Sequence, residues 1–213
     1  MTSAARRPGL QDLGARTLVM GVLNVTPDSF SDGGRFAKVE DAVRAGVALR
    51  AAGADIIDIG GESTRPGAAS VSVEEELRRV LPVIEALRAA GVSGLSIDTT
   101  KAEVARRAVR AGAEIVNDIS GLVFEPDLAE VVAGSSASLI LGHTRGRPAT
   151  MQAGEIGYPE GVVEAVKTAL RRALEGARAA GVPAKRLLVD PGIGFGKTLE
   201  HNLTLLRELG ALA

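Results

Sequence analysis

The chain has 213 residues, enough for one large domain with a substantial core. Hydrophobic residues make up 46% but aromatics only 2%, so the apolar mass is Ala, Val, Leu and Ile, a mixture suited to helices packed on a Val/Ile-rich sheet. The 25 basic residues balance 26 acidic ones and there is no Cys, which argues against a nucleic-acid binder and excludes disulfides, thiolate metal sites, iron–sulfur clusters and thiol nucleophiles.

Residues 1–16 read as a polar, basic N-terminal extension, followed by one domain over 17–213. The first apolar run, Leu18–Leu23, is too short for an export signal, and no stretch approaches the roughly 18 apolar residues of a membrane span. The expectation is a cytoplasmic protein with no membrane or nucleic-acid partner.

Further short apolar runs follow at Ile56–Ile59, Leu95–Ile97, Ile115–Val116, Leu139–Leu141 and Leu187–Val189. Their weak alternation is that of parallel strands buried on both faces. Amphipathic segments lie between them. Leu77, Val80, Leu81, Ile84 and Leu87 share one helical face, as do Val162, Val166, Ala169, Ala173 and Ala177, with Val163, Leu170 and Leu174 widening the second stripe. Ser72 to Glu75 and Thr100 to Glu103 fit the reciprocal cap of a helix start. Gly53, Gly91, Gly112 and Gly181 each end a helical pattern, where a left-handed cap residue is wanted. The stretch Ala52–Ile59 is echoed by Ala111–Ile119, a weak repeat of helix end, Gly turn and buried strand.

Repeated β-α units mean a parallel sheet, either open and doubly wound or closed as a barrel. The strand ends favour the barrel. In order they are Asn24, Asp58, Asp98, Asn117, His143 and Asp190, all polar. Such residues also cap helices, but a polar ring at the C-terminal mouth is where a (β/α)8 TIM barrel places its active site, whereas an open sheet has a single switch point. The expected class is therefore α/β, a (β/α)8 TIM barrel of which about six β-α units are present.

Three stretches stand out. Asn24-Val-Thr-Pro-Asp-Ser-Phe-Ser-Asp-Gly-Gly34 is a long loop with one aromatic, the composition of a lid. Gly60-Gly-Glu-Ser-Thr-Arg-Pro-Gly67 offers close backbone approach and donors to an anion at Thr64 and Arg65. Asp190-Pro-Gly-Ile-Gly-Phe-Gly-Lys-Thr198 looks like a nucleotide loop but is not one: Pro191 stands where the phosphate-loop pattern needs Gly, and Lys197 where the dinucleotide pattern does.

Met20–Gly34 and Gly53–Ala68 resemble the two signature segments of the dihydropteroate synthases. Ser96–Thr99, Val116–Gly121 and Asp190–Thr198 are similar to later segments of that family, in order. The resemblance implies a pterin-binding barrel, a homodimer, that joins 6-hydroxymethyl-7,8-dihydropterin diphosphate to p-aminobenzoate, releasing diphosphate and 7,8-dihydropteroate. It implies that Asp98, Asn117 and Asp190 hold the pterin. Asn24 is implied as a ligand of Mg²⁺ at the leaving diphosphate. Thr64, Arg65, Pro66 and Phe195 would shape the diphosphate and aminobenzoate sites, and Phe30 and Asp32 would act from the lid. Gly142-His143-Thr144 departs from the family's usual Met-His-Met. The resemblance also implies two further β-α units beyond Leu209, with Ser-Arg-Lys and Arg-x-His segments. Their absence leaves a catalytically silent pterin-binding fragment or subunit as one alternative, and a corrinoid-linked pterin methyltransferase, which shares the barrel, as another.

Overall fold

The computed structural model describes residues 15–26, 35–65, 67–152 and 156–212. Phe30, Asp32 and Pro66 lie outside the described residues. Strands β1 (Met20–Asn24), β2 (Ile56–Gly60), β3 (Leu95–Asp98), β4 (Ile115–Asp118), β5 (Ser138–Gly142) and β6 (Leu187–Asp190) alternate with helices α1 (Arg35–Ala51), α2 (Val73–Ala89), α3 (Ala102–Ala111), α4 (Leu128–Ala133), α5 (Val162–Ala179) and α6 (Leu199–Arg207). Every pairing is parallel, and the strands lie in chain order from β1 to β6. A doubly wound sheet reverses its order at the switch point. Consecutive neighbours throughout are the staves of a barrel, which decides between the two architectures left open by the β-α alternation.

Strand residues alternate between two faces. Leu23, Ile57, Ile59, Leu95, Ile97, Val116, Leu139 and Leu141 face the helices and form one buried core with Val80, Val83, Ile84, Leu87, Val104, Leu128, Val132 and Ala177. Most of the hydrophobic burial is on this outer side. The inner face carries Asn24, Asp58, Ser96, Asp98, Asn117 and Asp190. Val22, on the inner face of edge strand β1, is 60% exposed.

The helix starts differ in part from their sequence patterns. Ser72 caps α2 and accepts from the Glu75 N–H at 3.2 Å, but the Glu75 carboxylate turns to Arg78 and Arg79 instead of back to Ser72, so only half of the reciprocal cap forms. At α3 the cap position is Lys101, not Thr100, and the Lys101 N–H donates to Thr99 Oγ1 at 3.2 Å. The complete reciprocal cap is at α6, between Thr198 and His201. On α2 the buried stripe runs through Glu76, Val80, Val83, Ile84 and Leu87, which replaces Leu77 and Leu81 by Glu76 and Val83. On α5 the buried residues are Val162, Val166, Leu170, Ala173 and Ala177, all within the expected stripe, whereas Ala169 is only half-buried. Gly53, Gly91, Gly112 and Gly181 all adopt positive φ, as their positions after the helices require. Arg16 forks onto Asp55 just before β2, at 2.9 and 2.5 Å, and this guanidinium, with the Val19 N–H, holds the Asp55 carboxyl down at about 2.

Candidate active site

The strand register sets the site. Asn24, Gly60, Asp98 and Asn117 are successive partners across β1 to β4, so three polar side chains stand in one row at the C-terminal ends. Gly60 keeps that row open. A Cβ there would lie 3.5 Å from Asp98 Oδ2 and 3.7 Å from Asn24 Oδ1. One layer deeper is Asp58, buried, whose Oδ2 accepts from Asn117 Nδ2 at 3.0 Å. Asp58 Oδ1 and Ser96 Oγ, its neighbour on β3, are buried without hydrogen-bond partners. Asp190 ends β6, and its Oδ1 accepts from the Gly192 N–H at 2.8 Å.

This is a concentration of buried acid. Burial pushes the Asp98 carboxyl well above the usual carboxylate range, and the negative charges of Asp58, Glu76, Asp118 and Glu62 push it further. Burial raises Asp58 too, against the opposing contacts of Ser96 and Asn117. Raised, buried carboxyls gain from further donors, and a ligand edge with parallel N–H groups would supply them. Asp118 is also raised by burial, and it holds the β4 loop by accepting from the Ser120 N–H at 2.8 Å and the Leu122 N–H at 2.6 Å. That loop carries Ile119 to the site.

Beside Asp98 opens a cavity of about 270 Å³, lined also by Thr64, Glu76, Ile119, Phe124 and Arg147. The Arg147 guanidinium lies 4.4 Å over the Phe124 ring, a cation–π contact. Its upper wall is the loop after β2, gripped at its base. Arg79 Nη1 donates to the Gly61 carbonyl at 2.7 Å, and a Cβ on Gly61 would meet Val80 at 2.7 Å. Lys101 Nζ donates to both Glu62 and Glu76, reaching Glu76 Oε2 at 2.5 Å. Burial alone would lower the Lys101 ammonium, but these two carboxylates outweigh it and raise it. Glu76 is 1% exposed.

On the far side, His143 follows β5 and Lys197 lies in the loop after β6. Lys197 is 3% exposed, and its Nζ is 3.0 Å from His143 Nδ1. Burial lowers the Lys197 ammonium to about 8, against the pull of Asp190. Burial, then the Lys197 charge, lowers His143 to about 4. Phe195 is half-buried in the same loop.

The structure thus brings Asn24, Asp98 and Asn117 into one row and puts Thr64 on the cavity that Asp98 lines. Arg65 is exposed and is not among the lining residues. Several residues escaped sequence reading: Lys197, Phe124, Arg147 and the Glu62–Lys101–Glu76 group. Of these, Glu62 lay in the second stretch singled out, with no role given to it, and Lys197 in the third, where it served to reject a nucleotide loop. Gly142, the departure at the fifth strand, has a structural reason. A Cβ on Gly142 would sit 2.7 Å from Ile119 Cα and 2.8 Å from its carbonyl oxygen, so the β4 loop occupies the side-chain space. Thr144 Oγ1 bonds to the Gly146 carbonyl at 3.1 Å and shapes the loop that bears Arg147. Among the described residues no three His, Cys, Asp or Glu side chains form a metal-binding group, and no helix is long and apolar enough to cross a membrane.

Comparison with known proteins agrees with this geometry. The model of the family described as pterin binding enzyme matches residues 20–213. The chain is 51% identical over 203 residues to a dihydropteroate synthase of Synechocystis sp., covering 95% of this chain and 70% of that protein. It is 48% identical over 191 residues to the dihydropteroate synthase of Escherichia coli, covering 90% and 67%. Among solved structures, the Xanthomonas albilineans dihydropteroate synthase with 4-aminobenzoic acid superposes with a TM-score of 0.82 at 47% identity, over 92% of this chain and 69% of that one. The Burkholderia cenocepacia dihydropteroate synthase complexed with 7,8-dihydropteroate gives 0.80 at 45% identity, over 93% and 66%. The chain thus spans about 70% of the Synechocystis protein's length. The matched residues include all six strands and every acid at their mouth: this chain belongs to the dihydropteroate synthases, within the pterin-binding enzyme family.

Proposed function

We propose that the site joins 6-hydroxymethyl-7,8-dihydropterin diphosphate to p-aminobenzoate. The observation that carries this reading is the register row of Asn24, Asp98 and Asn117 above buried Asp58. Asp98 and Asp190 offer acceptors for the amino and ring N–H groups of a pterin, and Asn117, held by Asp58, keeps its remaining donor and its oxygen for another edge. Two relatives whose structures hold 4-aminobenzoic acid and 7,8-dihydropteroate support the two substrate halves.

In this reaction the carbon–oxygen bond to diphosphate breaks, the aryl amine forms a carbon–nitrogen bond to the same methylene, and the amine loses a proton. No protein nucleophile is needed, in keeping with a chain without Cys. We place bond breaking ahead of attack, because the electron-rich pterin stabilises a methylene cation. The chain's own residues orient the two rings and exclude water. Thr64 and Arg65 serve the diphosphate and aminobenzoate on one side, Phe195 on the other, with Phe30, Asp32 and Pro66 as loop residues. Mg²⁺ fits the donor set: it keeps several waters and takes few protein ligands alongside substrate phosphates, and Asn24 offers an exposed amide oxygen beside Asp98. Asn24 would hold it, and the ion would supply charge neutralisation at the diphosphate. A cytoplasmic location is carried over from the reading of the N-terminus and the short apolar runs, and a homodimer from the family resemblance.

Mixing the purified enzyme with both substrates and Mg²⁺ and following dihydropteroate by chromatography tests the reading. Equimolar dihydropteroate and diphosphate are expected. Pterin binding without any condensation would sink it in favour of a silent pterin-binding protein.

A further inference from the structure

Lys197 makes more contacts than any role given to its loop requires. Its Nζ donates to three backbone carbonyls, those of Gly192 at 2.8 Å, Phe195 at 3.1 Å and His143 at 3.1 Å, and lies 3.0 Å from His143 Nδ1. An ammonium has no acceptor, so His143 Nδ1 must be the accepting nitrogen and its ring proton sits on Nε2. The same Gly192 carbonyl accepts from the Phe195 N–H at 3.1 Å, closing a tight turn around the lysine head. The turn has no room to shift toward β5. A Cβ on Gly192 would fall 1.9 Å from the His143 carbonyl oxygen, and one on Gly196 would fall 2.9 Å from that of Arg145. Tyr158 Oη donates to the Gly196 carbonyl at 3.0 Å and fastens the other end.

We infer that Lys197 is a positioning residue that holds the Gly192–Gly196 turn against His143 and so sets the place of the Phe195 ring in the aminobenzoate site. The inference rests on the placing of Phe195 in that site. A buried cation is costly to keep unless its donors are satisfied, and here the acceptors that satisfy it include the carbonyl of Phe195 itself. Loss of the ammonium takes the lysine donor from that carbonyl and from His143's and leaves Gly192's with the Phe195 N–H alone, while Asp190 keeps its own bond to the Gly192 N–H. Aminobenzoate recognition therefore suffers and pterin recognition does not.

Steady-state kinetics of the intact enzyme, varying each substrate in turn, test this with Lys197→Met, Phe195→Ala and the double variant. Lys197→Met is expected to raise the KM for aminobenzoate at least tenfold and to leave that for the pterin diphosphate within twofold. In the Phe195→Ala background it should add less than twofold, because its effect runs through that ring. An aminobenzoate KM that stays put in Lys197→Met while Phe195→Ala is impaired overturns the inference alone. So does an equal loss for both substrates, or effects that multiply in the double variant. An unimpaired Phe195→Ala overturns the placing of Phe195 itself.

A second measurement does not depend on the variants folding. Among the described residues, the charged and titratable groups around Lys197 are Asp190 on β6, His143 and Arg145 after β5, and beyond them Tyr158 with His201 edge-on to its ring. As pH rises from 7 to 9, Lys197 loses its proton near about 8 and keeps two N–H donors for four acceptors. The wild-type aminobenzoate KM should rise at least threefold over that range with the pterin KM flat. A flat aminobenzoate profile overturns the inference.

Discussion

Asn117 Nδ2 donates to Asp58 Oδ2 at 3.0 Å across the width of β3. The two residues belong to strands that do not pair with each other, and their side chains meet inside the barrel over Ser96. The bond leaves Asp58 with one buried oxygen unsatisfied and fixes which way the Asn117 amide faces. The row proposed to read a pterin edge is thus oriented from below by a buried carboxylate.

Replacing Asp58 with Leu removes the acceptor and leaves a buried amide N–H unpaired. The expected loss is about 1–3 kcal/mol of pterin affinity, roughly 5- to 150-fold, read by calorimetry with the free pterin. Asp58→Asn keeps an oxygen for Asn117 and should lose less than half as much in free energy. Equal losses in the two variants would show that the charge of Asp58, not its hydrogen bond, matters.

Asp98 sets stability against binding. Its carboxyl is raised in the folded state, so its contribution to stability is present below the ordinary value of 3.8 and is lost as pH climbs through the raised folded value. Asp98→Asn does not titrate. The variant should melt higher than wild type at pH 8, by about 2–4 °C for each kcal/mol relieved, and the gap should close as pH falls toward 4. Its pterin affinity should drop at least tenfold. Melting curves that run parallel across pH would refute the buried-charge account.

Lys101→Met should loosen the loop after β2. It strands Glu76, which is 1% exposed, and frees Glu62, two residues before Thr64. Breaking a fully buried pair costs about 3–5 kcal/mol. Lys101 keeps 19% exposure, so a loss of about 3 kcal/mol or less is expected in urea unfolding. Lys101→Arg should recover part of it. A variant as stable as wild type would mean that the clamp carries no net free energy.

Gly142→Ala tests the contact between β5 and the β4 loop. The added methyl meets backbone atoms of Ile119, which cannot swing aside as a side chain would. Overpacking of this kind costs about 1–3 kcal/mol. Displacing Ile119 also disturbs the cavity wall, so pterin affinity should fall along with stability. A neutral variant by both measures would show that the β4 loop yields freely.

Much of this protein was legible along the chain. Buried strands announce themselves as short Val/Ile/Leu runs, since both faces of a parallel sheet must be apolar over most of their length. The ends Asn24, Asp98, Asn117 and Asp190 stand out because polar residues there break those runs at the same relative point. Gly53 and Gly112 mark helix ends because few other residues adopt positive φ. These are local facts, fixed by steric and solvation preferences within a few residues. What only the tertiary structure decided are contacts between residues far apart in the chain. Glu62 and Lys101 are 39 positions apart, His143 and Lys197 are 54, and Asp58 and Asn117 are 59. Local competition misled even within reach: Thr99 took the N–H of Lys101, and Glu75 preferred two arginines to the helix cap. Glu76, Lys101 and Lys197 carry charge at positions that look solvent-facing, and no pattern of hydrophobic spacing says that a charge is buried. That depends on whether an opposite charge or a set of carbonyls is waiting there, and the order of the strands around the barrel is what brings them.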